Sequence, residues 1–162
     1  MNLICDTDII SSLAKIDELC LLDELFSRSE KYIPLGVYEE LEFAQDVGYD
    51  FPEKIFKSIP IVSMSTEEID DYRKSLTKKR ELGKGEIQCM VIARKRDWTL
   101  LINDRLARKK CKENQINTYD LAEILRASYL AGIRSKPELG DMVTALKEKD
   151  NFIFSNETDL YK

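Results

Sequence analysis

The chain has 162 residues, of which 43% are hydrophobic and 34% are charged, with a net charge of −5. A chain of this length buries about two thirds of its unfolded surface, so we expect a single domain over residues 1–162. Because both signs of charge are mixed, the composition does not indicate disorder. The sequence has no apolar run of about 18 residues and no signal-peptide pattern at its start, so we expect no contact with a membrane.

The sequence contains no histidine. This excludes His-based acid–base catalysis, Ser–His and Cys–His nucleophile pairs, and zinc sites with histidine ligands. The cysteines are far apart, which predicts buried thiols in a reducing compartment, the cytoplasm, instead of disulfides. They are Cys5, Cys20, Cys89 and Cys111. An enzyme with this composition would rely on carboxylates and on metals that prefer oxygen ligands.

Charge is unevenly distributed along the chain. Residues 1–75 contain 17 Asp and Glu against 7 Lys and Arg. Residues 78–112, the basic window, contain 12 Lys and Arg against 4 Asp and Glu, a net charge of +8. Such an excess can attract a polyanion, although two solvated helix faces would give the same composition.

Short apolar segments alternate with amphipathic ones along the whole chain. The first half predicts a strand at 2–5, a helix at 9–28 broken near Asp17, a strand at 31–34, a helix from 35 to 48, a mobile loop at 48–57, a strand at 59–63 and a helix from the Ser65–Glu68 capping box to Gly83. The second half predicts a helix at 86–96, a strand at 98–102, a basic helix at 104–112, a strand at 115–118, helices at 121–131 and 137–149, and a last strand at 152–155. This alternation is typical of a parallel sheet covered by helices on both faces.

Four acidic residues are expected at one edge of this sheet. Asp6 directly follows the first strand and Asp104 follows the strand at 98–102, and parallel sheets bind ligands beyond the carboxyl ends of their strands. Glu40 lies early in a helix and Glu86 begins one, so both face the same edge. Clustered carboxylates repel one another unless cations lie between them. Mg²⁺ or Mn²⁺ would suit these oxygen ligands and would support phosphate hydrolysis without histidine.

Each acid also has a purely structural explanation. Asp6, Asp8 and Asp104 are suitable N-caps for the helices that follow them. Glu86 would favour the dipole of its helix, and Glu40 lies among other glutamates that are typical of a solvated surface. Their common edge, and no single residue, indicates a functional site.

Several segments around these acids occur in a characteristic order. They are Cys5-Asp6-Thr7-Asp8, Ile33–Leu41 with Glu40, Gly85–Ala93 with Glu86, Leu101–Arg108 with Asp104, and a tail from Lys136 to Ser155. In this order they resemble the four motifs and the C-terminal helix and strand (136–156) of PIN-domain nucleases. The branch that they resemble is related to the ribonuclease toxins of toxin–antitoxin pairs (VapC-like). The chain departs from that pattern at Asp8, where the family often has Ser or Asn, and at Glu86, where many members have Asp.

The resemblance implies a three-layer α/β/α sandwich around a parallel sheet, and hydrolysis of RNA phosphodiester bonds by a Mg²⁺- or Mn²⁺-dependent endoribonuclease. It also implies two candidate partners, a cognate antitoxin protein and a second copy of this chain in a homodimer. The predicted catalytic and metal-binding residues are Asp6, Glu40, Glu86 and Asp104, the first and last as direct ligands. The predicted contacts to the RNA backbone are Lys84, Arg105 and Arg108. Thr7 and Asn103 would hold waters or position the acids.

Two alternatives remain open from the sequence. The first is a catalytically inactive PIN-like module that binds RNA or a protein. The second is a haloacid-dehalogenase phosphatase, because Asp6-Thr7-Asp8 resembles the nucleophile motif of that family. That family needs an acidic pair after a strand, whereas Asp70-Asp71 lies within a predicted helix.

Overall fold

The computed structural model describes residues 1–78 and 81–162, and a parallel sheet of four strands lies at its centre. The strands are β1 (Leu3–Cys5), β2 (Lys31–Tyr32), β3 (Thr99–Leu101) and β4 (Thr118–Tyr119), in the order β2-β1-β3-β4. Leu3 lies opposite both Lys31 and Thr99, and Leu100 lies opposite Thr118. Every residue of β1 and β3 is buried, because helices cover both faces of the sheet. The predicted three-layer α/β/α sandwich is confirmed.

Nine α-helices and one 3₁₀ helix surround the sheet in the part of the chain that the structure describes. They are α1 (Thr7–Lys15), α2 (Leu21–Leu25), α3 (Leu35–Asp46), α4 (Phe51–Ser58), α5 (Thr66–Lys78), α6 (Lys84–Arg96), α7 (Arg105–Glu113), α8 (Leu121–Leu130), α9 (Lys136–Asp150) and the 3₁₀ helix Glu157–Tyr161. No helix within these ranges has both the length and the apolar character that crossing a bilayer requires.

Most helix ends coincide with the signals in the sequence. The predicted break between α1 and α2 is confirmed, and Asp17 there adopts a positive φ of 58°. Gly48, just beyond α3, has a φ of 108°, which a residue with a side chain rarely adopts. At the start of α5, the Ser65 N–H donates to Glu68 Oε2 at 2.7 Å, and the Glu68 N–H donates to Ser65 Oγ at 3.2 Å. The predicted capping box is therefore present.

The mobile loop predicted at 48–57 is wrong, because this stretch contains α4. Phe51 and Ile55, one turn apart, are buried, and α4 packs against α1 and α3. Pro52 lies in the first turn, where its missing N–H costs no hydrogen bond. The two apolar residues give this short polar segment enough of a buried face to form a helix.

Two predicted strands are absent from the described structure. At 59–63 a single bridge joins Ile33 to Ile61, since Pro60 has no N–H to continue a ladder. The segment 152–155 is irregular and leads into the 3₁₀ helix, so the short strand expected within 136–156 does not form. The strand expected at 115–118 begins only at Thr118, after Gln115, which has a φ of 59°.

All four cysteines are free thiols, as predicted. Cys5, Cys89 and Cys111 are buried, and burial raises the pKa of the Cys5 thiol to about 12, so it is an inert part of the core. Cys20 differs from the prediction because it is exposed, at the turn that precedes α2.

Candidate active site

Asp6 lies at the carboxyl end of the central strand β1. Its N–H donates to Leu101 O at 3.0 Å, so the residue continues the pairing with β3. The residue is only 3% exposed. Asp6 occupies the N-cap position of α1, but its side chain makes no capping hydrogen bond. A helix-capping role therefore does not account for a buried carboxylate at this position.

A close contact between two helices brings Glu40 and Glu86 together. A Cβ added to Gly36 on α3 would lie 2.9 Å from the Cα of Gly85 on α6. The Gly36 N–H donates to the side chain of Gln88 at 2.7 Å, which fixes the two helices across this contact. A Cβ added to Gly85 would lie 2.9 Å from Glu40 Oε1. The absence of a side chain at Gly85 therefore allows the close packing that brings Glu40 to the start of α6.

One hydrogen bond holds each of the other three acids in place. The hydroxyl of Thr7 donates to Glu40 Oε2. The N–H at the N-cap of α6 donates to Glu86 Oε2 at 3.0 Å, and an N–H in the first turn of α7 donates to Asp104 Oδ1 at 2.7 Å. Asp104 is thus a true helix cap, but the bond engages only one of its oxygens. The second oxygen of each carboxylate can serve as a ligand.

The acids influence one another electrostatically. Desolvation raises the pKa of Asp6 well above its ordinary value, and the charges of Asp8, Glu86 and Glu40 raise it further. Desolvation also raises the pKa of Glu86, with the charges of Asp104, Asp8 and Glu40 as further causes. Asp6, Asp8, Glu40, Glu86 and Asp104 therefore lie close enough to one another to interact electrostatically. Below, these five residues are called the acidic site.

Asp150 is a further neighbour that the sequence did not indicate. Desolvation raises the pKa of Asp8, and Asp150 is the first of the charges that add to this effect. Asp150 is the last residue of α9, and it accepts a hydrogen bond from the Lys15 ammonium at 2.7 Å. Because α9 is distant in sequence from α1, only the packing of these two helices reveals the contact.

The donor chemistry of the acidic site fits a divalent metal that prefers oxygen ligands. Its donors are carboxylates, and desolvation together with the neighbouring acids raises the pKa of Asp6 and Glu86. Within residues 1–78 and 81–162, no group of three or more acids or cysteines is arranged to hold a metal ion. Mg²⁺ keeps several waters and binds only one or two carboxylates directly, so it does not require three protein ligands.

The three cations predicted to contact RNA occupy different environments. Lys84 is exposed in the first turn of α6, near Glu86. Arg105 is exposed next to Asp104, and its guanidinium donates to Ser155 Oγ at 3.2 Å. Arg108 forms ion pairs with two acids at the start of α8, so much of its charge is already balanced.

Much of the basic window is neutralised in the folded chain. Arg94, Lys95 and Arg96, at the end of α6, form ion pairs with acids of α5. Two further cations of the window, Lys79 and Arg80, lie outside the described residues. Within the described part of the window, three exposed cations (Arg105, Lys109 and Lys112) lie on α7 immediately after Asp104, and Lys78 and Lys84 are exposed elsewhere.

Comparisons with known proteins identify a family and a similar fold. No curated protein matches the chain. Among solved structures, the fold is similar to that of a chain in the 2.2 Å resolution structure of VapBC-1 from nontypeable Haemophilus influenzae. The sequence identity is 15%, the TM-score is 0.58, and the match covers 75% of this chain and 98% of that chain. The family model DUF3368, described as a PIN domain, matches residues 2–159. The chain therefore belongs to the PIN-domain family.

Proposed function

We propose that this protein is a Mg²⁺- or Mn²⁺-dependent endoribonuclease, and that it acts in the cytoplasm as the toxin of a toxin–antitoxin pair. The observation that carries the proposal is the convergence of Asp6, Glu40, Glu86 and Asp104 at the carboxyl edge of the sheet. Membership of the PIN-domain family and the similarity in fold to a chain of VapBC-1 support it.

Each acid has a distinct part in this proposal. Asp6 and Asp104, which follow β1 and β3, would bind the cation directly, and Glu40 and Glu86 would hold its waters. A bound divalent cation lowers the pKa of a water molecule and neutralises charge that develops on phosphate. Thr7 keeps the carboxylate of Glu40 in place through its hydroxyl. The exposed cations beside Asp104 would attract the RNA backbone, and this attraction weakens with salt.

An exposed apolar surface on α3 supports a protein partner. Leu35, Phe43 and Val47 are 53%, 68% and 57% exposed and lie on one face of the helix, since they are eight and four residues apart. Contiguous apolar side chains on a surface are typical of protein interfaces. We propose a cognate antitoxin as the occupant, and a second copy of this chain as the alternative.

The Asp104→Asn variant tests the nuclease proposal. Asparagine is as good an N-cap as aspartate, so α7 should keep its start and the variant should fold normally. Loss of one charged ligand should lower RNA cleavage in Mn²⁺ buffer by about a hundredfold or more, since metal stabilisation of the transition state contributes several kcal/mol. The measurement is the initial rate of cleavage of a labelled RNA.

Asp97→Asn is the matched control for this experiment. Asp97 is exposed at the end of α6 with a positive φ of 54°, a conformation that asparagine also tolerates. This control should cleave at the wild-type rate. Full activity of Asp104→Asn would remove that residue from the mechanism. A wild-type protein that binds RNA without cleaving it in Mn²⁺ would establish the inactive binding module instead.

A further inference from the structure

A second cleft opens directly beside the acidic site. It has a volume of about 600 Å³ and lies between the start of α7, the start of α8 and the segment 152–160. We call it the C-terminal cleft. Asn103 and Arg105 line it, so it begins at the two neighbours of Asp104. A substrate whose phosphate lies at Asp104 would have its adjoining groups at the mouth of this cleft.

Aromatic side chains form one wall of the C-terminal cleft. Phe152 and Phe154 both line it, are half-buried, and have ring centroids 4.7 Å apart with planes inclined by 59°. The segment that carries them is anchored at both ends. The Phe152 N–H donates to Leu146 O on α9 at 3.1 Å, and the guanidinium of Arg105 donates to Ser155 Oγ. Aromatic rings held in this way are platforms on which nucleobases stack.

Exposed cations follow one face of α7 away from the acidic site. Arg105, Lys109 and Lys112 are four and three residues apart, so they share a face of the helix, and all three are exposed. We call these three residues the α7 basic face. They line a shallow cleft of about 490 Å³ that shares Arg105 with the C-terminal cleft.

The α7 basic face differs from the other cations of the same helix. Arg108 and Lys110 form ion pairs with acids of other segments. For Lys109 and Lys112, by contrast, residues 1–78 and 81–162 supply no ion-pair partner. Exposed cations in a row, beginning at a site for phosphate chemistry, suit successive phosphates of a nucleic-acid strand.

From these contacts we infer that a single-stranded RNA crosses the acidic site along the α7 basic face and places one nucleobase in the C-terminal cleft, stacked on the ring of Phe154 with the inclined ring of Phe152 at its edge. This inference rests on the proposed function and adds the strand path and a base subsite. The strand must be single, because the bases of a duplex are already stacked and cannot enter such a cleft.

The phosphate path is tested by RNA binding in EDTA, where cleavage does not interfere. Fluorescence anisotropy of a labelled single-stranded RNA compares the wild type with Lys109→Ala/Lys112→Ala. Binding should weaken several-fold, and the slope of log K against log salt should become shallower by about 1.4, because each phosphate contact on a single strand contributes about 0.7. The control removes two exposed cations of α5, Arg73→Ala/Lys74→Ala, and should keep the wild-type slope.

The base subsite needs a readout that a purely structural role would not change. An RNA with one 2-aminopurine should lose fluorescence on binding when the probe base stacks in the cleft. Phe154→Leu keeps an apolar side chain without the ring, so it should abolish this quenching and weaken binding by roughly 5- to 100-fold. A series of RNAs that each carry one abasic site at a different position can also be tested with the wild type. Binding should weaken only when the abasic site falls at the position whose base enters the cleft. This second measurement does not depend on how the variant folds.

The outcomes separate this inference from the nuclease proposal. Unchanged salt slopes, unchanged quenching and equal tolerance of abasic sites at every position would overturn the strand path, even if the protein cleaves RNA. Equal affinity for duplex and single-stranded RNA would overturn the base subsite. If the variants lose binding as expected while the wild type shows no cleavage in Mn²⁺, the path stands and the nuclease proposal falls.

Discussion

Asp6→Asn is expected to stabilise the metal-free protein while it abolishes RNA cleavage. The Asp6 carboxylate is 3% exposed and lies within the field of three other acids, so its negative charge opposes folding in the absence of a cation. Asparagine keeps the shape and removes the charge. In EDTA at pH 8, we expect the free energy of unfolding to rise by about 1–2 kcal/mol, a gain typical when a functional site is relieved of strain.

The sign of the pH dependence follows from the raised pKa. The pKa of Asp6 is well above its ordinary value in the folded chain, so between the two values the folded state binds more protons than the unfolded state. Asp6 therefore contributes fully to stability below its ordinary pKa of about 4. This contribution is lost as the pH rises through the pKa that Asp6 has in the folded chain. The gain from Asp6→Asn should accordingly be largest at pH 8 and shrink towards zero at acidic pH.

Urea unfolding at several pH values, with and without Mn²⁺, measures this effect. The wild type should gain stability on addition of Mn²⁺, whereas Asp6→Asn should gain much less, because a ligand stabilises only the state that binds it. Asp46→Asn, an exposed acid at the far end of α3, should behave like the wild type throughout. An Asp6→Asn variant that is less stable than the wild type in EDTA would show that this carboxylate is structural.

Gly85→Ala is expected to lower RNA cleavage about tenfold or more with a moderate loss of stability. The new Cβ would lie 2.9 Å from Glu40 Oε1, the end of a flexible side chain that can move away. Moving it breaks the hydrogen bond from Thr7 and displaces a predicted ligand. Misplacement of a positioned group by about 1 Å can cost a hundredfold in rate. The Cβ would also lie 3.2 Å from Val37 Cγ2 and 3.3 Å from Val37 N, so we expect a loss of stability of about 1 kcal/mol.

Two other glycines provide the comparison for this prediction. Gly36→Ala would place a Cβ 2.9 Å from the Cα of Gly85, so the backbones of α3 and α6 must separate, and the loss of stability should be about 1–3 kcal/mol. At Gly140, in α9, the nearest atom is the Tyr161 hydroxyl at 3.8 Å, so Gly140→Ala should keep full activity. Thermal melts and cleavage rates of the three variants test this order. A Gly85→Ala variant with wild-type activity would contradict a role for the position of Glu40.

The sequence indicates which acids share one edge of the sheet because the determinants of their positions are local. Asp6 follows β1, Asp104 caps the helix after β3, Glu86 lies in the first turn of α6 and Glu40 lies in the second turn of α3. In a parallel sheet, these positions near the carboxyl ends of strands meet at one edge. The Gly85–Glu86 pair is recognisable for the same reason, although its packing against Gly36 is visible only in the fold. The family resemblance depends on these same segments, which is why fold and family were predicted together.

What the sequence could not provide depends on contacts between distant segments. The burial of Phe51 and Ile55 makes α4 a helix where composition favoured a loop. Ion pairs between α6 and α5 neutralise cations that counted as free charge in the basic window. Asp150 reaches the acidic site only because α9 packs on α1. Charge and hydrophobic patterns show which side chains a segment presents, but the tertiary structure determines which residues those side chains contact.

Titration of Mn²⁺ into the metal-free protein by calorimetry tests the central claim most directly, namely that acids from four distant segments form one cation site. The wild type should show saturable binding with proton release, because the raised pKa of Asp6 and Glu86 means that protons must leave as the metal enters. Asp6→Asn and Asp104→Asn should each weaken binding about tenfold or more, a change of at least about 1.4 kcal/mol, and Asp97→Asn should not. Absence of Mn²⁺ binding by the wild type, or equal binding by all four proteins, would contradict a shared metal site.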